Sequence, residues 1–393
     1  MKRGKCTAKG GSMWNELKRE FERPRARRPF GSGWLSGSLS VLAGIAGLVL
    51  VAMRQFPETF TMPEFQALHE GTFLTFFLRF VLIAGYVLAL LSLLLDRRKI
   101  LGFTGLFLAI VASLLGTEDA QGFGEGRQAL YFGLDYFVAN TLFLGFLFVP
   151  LERWFPHRGE QTVFRPEWDE DLFYFLVSAM FIQGLSFLTL IPSNVINDAI
   201  TLDILQGWVG AIPFAVQVVL IMLATDFIQY WLHRAFHEIP VLWRFHSIHH
   251  SAKSMDWMAG ARMHFLEIAA LRGFTAVPMF TLGFDLAAIQ AYLLIVFVYS
   301  KFIHSNVGFD LGFIESIVVT PRFHHWHHGS DREAIDINYA SHFPLYDRLF
   351  GTHHLPEERW PEDYGVLGDH VPRGFFRQLI YPFMTPKPQE PAE

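Results

Sequence analysis

Residues 226–264 read DFIQYWLHRAFHEIPVLWRFHSIHHSAKSMDWMAGARMH and hold six of the chain's seventeen histidines. Downstream lie His304 and the cluster His324, His325, His327 and His328. Read by spacing, the boxes are H-x-x-x-H (His233, His237), H-x-x-H-H (His246, His249, His250), a lone His264, a lone His304, and H-x-x-H-H again (His324, His327, His328). Residues three or four apart share a helix face, so each box can aim its imidazoles to one side of a helical turn. Imidazole suits Zn, Cu, Fe and Ni. Nine or ten imidazoles exceed the four ligands of one tetrahedral zinc, so the spacing points to two metals that share the boxes.

The rest of the chain says where such a site sits. Of its 393 residues 51% are hydrophobic and 18% charged, 41 are Phe, and the net charge is −5. Mean hydropathy is +0.27. A soluble domain carries about a quarter charged residues, so this composition predicts a polytopic membrane protein and offers nothing for nucleic acid. The single cysteine, Cys6, excludes a disulfide framework and a thiolate metal site.

Apolar runs of about 20 residues span a bilayer, and candidates fall near 35–53, 72–95, 99–117, 131–151, 172–192, 207–231, 265–284 and 285–303. The last two read as a hairpin turning at Gly283–Asp285. Residues 1–34 form a basic tail (Lys2, Arg3, Lys5, Lys9, Lys18, Arg19, Arg23, Arg25, Arg27, Arg28) that predicts a cytoplasmic flank, with Met13 an alternative start. The lack of a small-residue cleavage site argues against a signal peptide. Arg97, Arg98 and Lys99 in one loop, and Arg153, Arg158 and Arg165 in another, place those loops in the cytoplasm. The opposite loops carry Glu58, Glu64, Glu70, Glu118, Asp119, Asp198 and Asp203. Eight spans then put both termini and every histidine box on the cytoplasmic side. The expected fold is all-α, about eight transmembrane helices with a cytoplasmic histidine-rich metal-binding cap.

Other residues are read more plainly. His69 and His157 are isolated loop histidines, expected to be exposed at the interface. His325 fills an x position in its box and reads as a bystander or as a group supporting the ligands from outside, and His353 and His354 as at most auxiliary. Gly122, Gly124 and Gly126 lack dinucleotide-binding spacing and form a loop. Asp226, seven residues before His233 on the same helix face, is expected to orient a ligand histidine.

The run Asp226–His237, then Leu242-Trp243-Arg244 through His246, His249, His250 and Ser251, resembles the fatty acid hydroxylase/sterol desaturase superfamily. So do Arg262-Met-His264, the run Thr320–Gly329, Asn338-Tyr339 and Asp347–Thr352. The resemblance covers roughly 131–352. It departs at Phe265-Leu-Glu267, where many members have proline after the histidine, and at Asp256, where asparagine is common. It implies a membrane-bound dimetal oxygenase, usually diiron, that hydroxylates or desaturates lipids with O2 and two electrons. By position it implies His233, His237, His246, His249, His250, His264, His304, His324, His327 and His328 as ligands, supported by Asp226, Arg262 and Asn338.

The expected organisation is the tail 1–34, a three-helix membrane module 35–130, a catalytic domain 131–360 and a C-terminal tail 361–393. The module has no counterpart in the family core, and an anchoring or oligomerising role is its default reading. A fatty acyl or sterol-like substrate is expected to enter from the bilayer. No haem or flavin motif is present, so electrons are expected from a ferredoxin- or cytochrome-type donor; Lys253, Arg262, Arg322 and Arg332 read equally as a dock for an acidic donor and as ordinary positive-inside charge. Desaturation and carotenoid-type hydroxylation are the near alternatives. A metal transporter or a membrane zinc hydrolase are the distant ones. A transporter would hold its ligands near the midplane on broken helices, and a hydrolase would need a positioned general base.

Overall fold

The computed structural model describes residues 13–21, 23, 31–62, 73–116, 133–368 and 371–384. Expectations for Lys2–Lys9, Cys6, Arg25, Arg27, Arg28, the acidic residues Glu64, Glu70, Glu118 and Asp119, His69 and the glycines at 122–126 lie outside these residues. The regular elements described are all helical, with two isolated β-bridges, Pro156 to Val307 and Gly329 to Tyr364.

Among the described residues, four helices are long and apolar enough to cross a membrane. They are Trp34–Gln55, Phe73–Leu95, Phe214–Glu238 and Leu286–His304. A fifth span arises if Trp168–Met180 and Ile182–Ala199, bent by 67° at their break, count as one. The expected eight are not reached by this measure, for local reasons. Ile100–Leu115 has 16 residues, short of the usual span. Phe265–Thr281, at 17 residues, contains Glu267, Arg272 and Pro278.

The chain divides into two compact units, Met1–Tyr136 and Phe137–Glu393. In the first, α1 (Met13–Phe21) precedes three apolar helices, α2 (Trp34–Gln55), α3 (Phe73–Leu95) and α4 (Ile100–Leu115). Small residues let these helices approach closely. A Cβ at Gly105 would collide with Ser40, and one at Gly37 with Ser92. Buried Leu50, Val51, Leu74, Leu78 and Val81 form the core between α2 and α3. At one end Arg23 bridges Glu20 and Asp96, while Arg98 pairs with Glu20 at 2.5 Å.

The second unit contains α5 (Leu134–Trp154), α6 (Trp168–Met180), α7 (Ile182–Ala199), α8 (Phe214–Glu238), α9 (Pro240–His250), α10 (Phe265–Thr281), α11 (Leu286–His304), α12 (Pro321–His327) and α13 (Phe375–Ile380). The apolar faces of α8, α10 and α11 meet around Val218, Ile221, Ala276, Met279, Ala288 and Ile289. Beyond that core the helices end and the polar site begins. Helix α8 stops because Ile239, ahead of Pro240, takes an extended conformation (ψ 113°). Pro240 then opens α9 at a position where its missing N–H costs nothing. Thr320 caps α12 by accepting from the Phe323 amide, again with proline at the first turn.

Candidate metal centre

The turn between α8 and α9 brings two boxes face to face. His233 and His237 occupy the last turns of α8, and His246, His249 and His250 the last turns of α9. His304 ends α11, and α12 carries His324 and His327, with His328 at its C-cap. Nine of these side chains converge in two groups: His233, His237, His246, His250 and His327, and His249, His304, His324 and His328. Within each group one ring nitrogen per residue lies within 4.8 Å of all the others.

The division follows helical period. His246 and His250, four apart, face the first group, while His249 turns to the second. On α12 the pattern is exchanged: His324 and His328 face the second group and His327 the first. The groups touch where the His250 and His328 rings stack at 4.3 Å. Each double histidine therefore sends one ring to each group.

Protons decide what these rings can hold. A backbone carbonyl can only accept, so a ring nitrogen bonded to one must carry the hydrogen. His233 Nδ1 donates to Tyr339 O at 2.7 Å, His249 Nδ1 to Arg262 O at 3.0 Å, His304 Nδ1 to Ser300 O at 2.6 Å and His327 Nδ1 to Ile337 O at 2.8 Å. Their Nε2 atoms are then bare lone pairs. Yet His304 Nε2 and His249 Nε2 stand 3.2 Å apart with no proton between them. His233 Nε2 lies 2.9 Å from His246 Nε2. The buried Nε2 atoms of His237 and His327 have no hydrogen-bond partner among the described residues. Lone pairs packed this way repel unless a cation sits among them, so the residues fit a metal in each group.

Electrostatics keep the ligands available. Burial holds His249 down to about 4 and pushes His246, His250, His324, His327 and His328 well below the ordinary imidazole range. All are neutral at pH 7, as metal ligands must be. Aromatic rings close the first group from one side: Trp243 lies 5.0 Å from His237 and 5.5 Å from His250, and Tyr339 lies 5.2 Å from His237.

Several expected residues lie elsewhere. His264 reaches neither group. Its Nδ1 caps α10 by accepting from the Leu266 amide, and its Nε2 lies 3.2 Å from Leu379 O. Its ring packs edge-on against Phe245 of α9, at 5.0 Å, rather than against the ligand histidines. Asp226 does not touch a ligand histidine. It accepts from the amides of Ser341, His342 and Phe343 at 2.8, 3.0 and 2.9 Å, so it pins a loop. Arg262 supports the centre through its carbonyl to His249, while its guanidinium pairs with Asp171 at 2.5 Å and Glu167 at 3.0 Å. Buried and paired, it is no part of a docking surface; Arg322 is paired with Glu315. Asn338 holds the loop whose neighbouring carbonyls, Ile337 and Tyr339, fix His327 and His233. Its side chain bonds Phe323 O at 3.1 Å, His354 O at 2.7 Å and the His354 amide at 2.8 Å. His325 lies outside both groups, and His157 is half-buried against Trp360 at 3.8 Å rather than exposed.

Sequence reading missed Glu267. Its Oε1 lies 2.5 Å from His246 Nδ1, and the side chain is fully buried. Burial pushes this carboxyl up to about 8, so at pH 7 it shares a proton with the outer ring nitrogen and orients the ring. Also missed were the buried ion pairs that hold Arg262 in place. Arg165 bonds Asp256 at 2.7 and 2.8 Å and also Asp171, tying the start of α6 to the loop after α9.

Residues 218–352 match the fatty acid hydroxylase family, and all nine converging histidines fall inside that stretch. That stretch is similar to fatty acid hydroxylases. Over 176 residues it is 33% identical to an ornithine lipid hydroxylase of Rhizobium tropici, covering 45% of this chain and 53% of that protein. It is 34% identical over 137 residues to the alkylglycerol monooxygenase of Homo sapiens, covering 35% and 30%. Against the alkylglycerol monooxygenase of Danio rerio the identity is 31% over 170 residues, covering 42% and 36%. The chain thus spans about half, or less, of the length of these curated relatives. No solved structure matches it. Outside the matched stretch lie the whole first unit, residues 137–217 of the second unit and its 353–384 segment.

Proposed function

We propose that the protein is a membrane-bound diiron oxygenase that hydroxylates a C–H bond of a membrane lipid with O2. The observation that carries this reading is the convergence of nine imidazoles in two adjoining groups, four of them with the outer N–H given to a backbone carbonyl and the inner nitrogen bare. His233, His237, His246, His250 and His327 would hold one iron, and His249, His304, His324 and His328 the other. What two irons supply when bound is the reductive activation of O2 that an unactivated C–H bond requires. The relatives are named for lipid hydroxylation and alkylglycerol oxygenation, which favours a lipid substrate here.

The chain's own part is binding, orientation and exclusion of water. The carbonyls of Tyr339, Arg262, Ser300 and Ile337 fix four rings from behind, which holds the reacting geometry without reorganisation. Trp243 and Tyr339 wall the first group from solvent. Exposed apolar side chains such as Phe227 and Trp231 on α8 and Leu293 and Leu294 on α11 offer an acyl chain an approach from the bilayer. The reaction consumes O2, two electrons and two protons, and yields one alcohol oxygen and one water. An external ferredoxin- or cytochrome-type donor would supply the electrons. The clustered Arg97, Arg98 and Lys99 favour a cytoplasmic site.

Labelled O2, an electron donor and membranes test the reading. Hydroxylation puts one labelled oxygen into the lipid. Label found only in water indicates desaturation, and full turnover without O2 overturns the oxygenase assignment.

A further inference from the structure

One short segment stands behind most of the first metal group. Residues 336–339 read Asp-Ile-Asn-Tyr, and three of the four hold a ligand ring from outside. His237 Nδ1 donates to Asp336 Oδ1 at 3.3 Å, His327 Nδ1 to Ile337 O at 2.8 Å and His233 Nδ1 to Tyr339 O at 2.7 Å. The buried Nε2 atoms of His237 and His327 then face the group bare, without a hydrogen-bond partner among the described residues. Three ligands from two helices, α8 and α12, are thus aimed by one loop.

The loop keeps a conformation that needs support. Asp336 and Asn338 both stand in the left-handed region, at φ 56° and 57°, which Asp and Asn tolerate better than other side chains. Their neighbours fix them there. The Asn338 amide donates to Thr352 O at 2.9 Å, and the Tyr339 and Ala340 amides donate to the buried Asp347 carboxylate at 2.7 and 2.9 Å. Non-glycine residues held in this region by their surroundings gather at ligand clamps and switches.

The second group is built otherwise. His304 Nδ1 bonds Ser300 O of its own helix, and His249 Nδ1 bonds Arg262 O, whose side chain Asp171 and Glu167 anchor. The outer nitrogens of His324 and His328 have no partner among the described residues, so α12 and its C-cap carry those rings. All four of these residues are buried, whereas in the first group His237 is partly exposed. The Asp336 side chain behind it is 53% exposed. A metal site needs an entry path, and here one group meets the surface.

We propose that Asp336 is a positioning residue that clamps His237 and gates the first metal group, so that this group's metal exchanges with solution while the second group's stays resident. The proposal rests on the metal-centre reading above. When the Asp336 carboxylate swings away, the His237 ring can turn about its side-chain bonds and withdraw one ligand from the group. The metal then passes through the same opening. The partners shown for the second group are backbone carbonyls, which cannot swing aside.

The test uses the full-length protein loaded with Fe(II) under argon and mixed with excess ferrozine, whose colour reads the iron released. Wild type should release one iron fast and one slowly. Asp336→Ala should quicken the fast phase by about 10–100-fold, the range in which outer partners change metal binding, and leave the slow phase as it is. Asp336→Asn, whose amide oxygen still accepts from Nδ1, should restore a near wild-type rate. Glu333→Ala removes a nearby acid that pairs with Arg359 and His354 instead of a ligand, and it should change neither phase. His249→Ala should show the fast phase alone and His237→Ala the slow phase alone. The metal-free unfolding midpoint of Asp336→Ala should match wild type, which separates positioning from folding. Two irons leaving in one phase, Asp336→Ala rates that are unchanged or quickened equally in both phases, or a rate that Asp336→Asn does not restore overturns the gate and leaves the two-metal reading standing. A wild-type protein that binds one iron or none defeats the metal-centre reading instead, whatever Asp336 does.

Discussion

At the scale of single residues, the outer ring nitrogens say more than the inner ones. His304 and His249 could each have turned a proton toward the other, but Ser300 and Arg262 claim both Nδ1 hydrogens and leave two lone pairs 3.2 Å apart. Glu267 holds the outer nitrogen of His246 with a buried carboxyl. Glu267→Gln should keep the fold and weaken metal affinity by about 10–100-fold, read by competition with a chelator. An unchanged affinity would reduce Glu267 to packing. His249→Ala should remove metal from the second group while the first retains its own. Asp226 acts differently: Asp226→Ala strands three loop amides, each costing roughly 1–3 kcal/mol if left buried and unpaired. The expected result is a lowered denaturation midpoint with metal content kept at permissive temperature. Selective metal loss would return Asp226 to the centre.

At the scale of elements, the boxes were legible because helical spacing is a short-range rule. His233 with His237, His246 with His250, and His324 with His328 lie four apart, and each pair does share a face. What spacing cannot read is the long-range partner. Glu267 meets His246 across 21 residues and a change of helix, so it stood out only as a departure from a resemblant pattern. His264 looked like a ligand by residue type, yet its place at the start of α10 makes it a cap. Asp226 does lie on the His233 face, but it faces the 341–343 loop that folds back from far downstream. The buried pairs of Arg165 and Arg262 were hidden for the same reason, since loop arginines read as surface charge. Arg165→Met should leave the Asp171 and Asp256 carboxylates uncompensated. Breaking such a pair costs about 3–5 kcal/mol, so thermal unfolding should fall markedly, with loss of metal following rather than preceding it. Metal loss without a fall in stability would contradict this.

At the scale of the whole molecule, the apolar runs announced a membrane protein, and among the described residues four or five helices, short of the expected eight, pass as spans by length and composition. Length in sequence does not show where a helix bends or breaks: α6 and α7 turn by 67° inside one apolar run, and α10 carries Glu267 and Arg272. Ionisable groups at membrane depth are costly and mark function or pairing, and Glu267 is paired with a ligand. Reporter fusions after Lys99 and Arg158 should both read cytoplasmic if the basic loops set orientation; an external signal at Arg158 would place the centre on the opposite face. The number of metals the nine histidines hold is the decisive property of the centre. Element analysis of the purified full-length protein tests this most directly. The prediction is two irons per chain, falling to one in His249→Ala and also in His237→Ala, because each residue serves a different group. A single metal that either substitution removes completely, or one retained zinc and no iron after aerobic and anaerobic preparation alike, would contradict it.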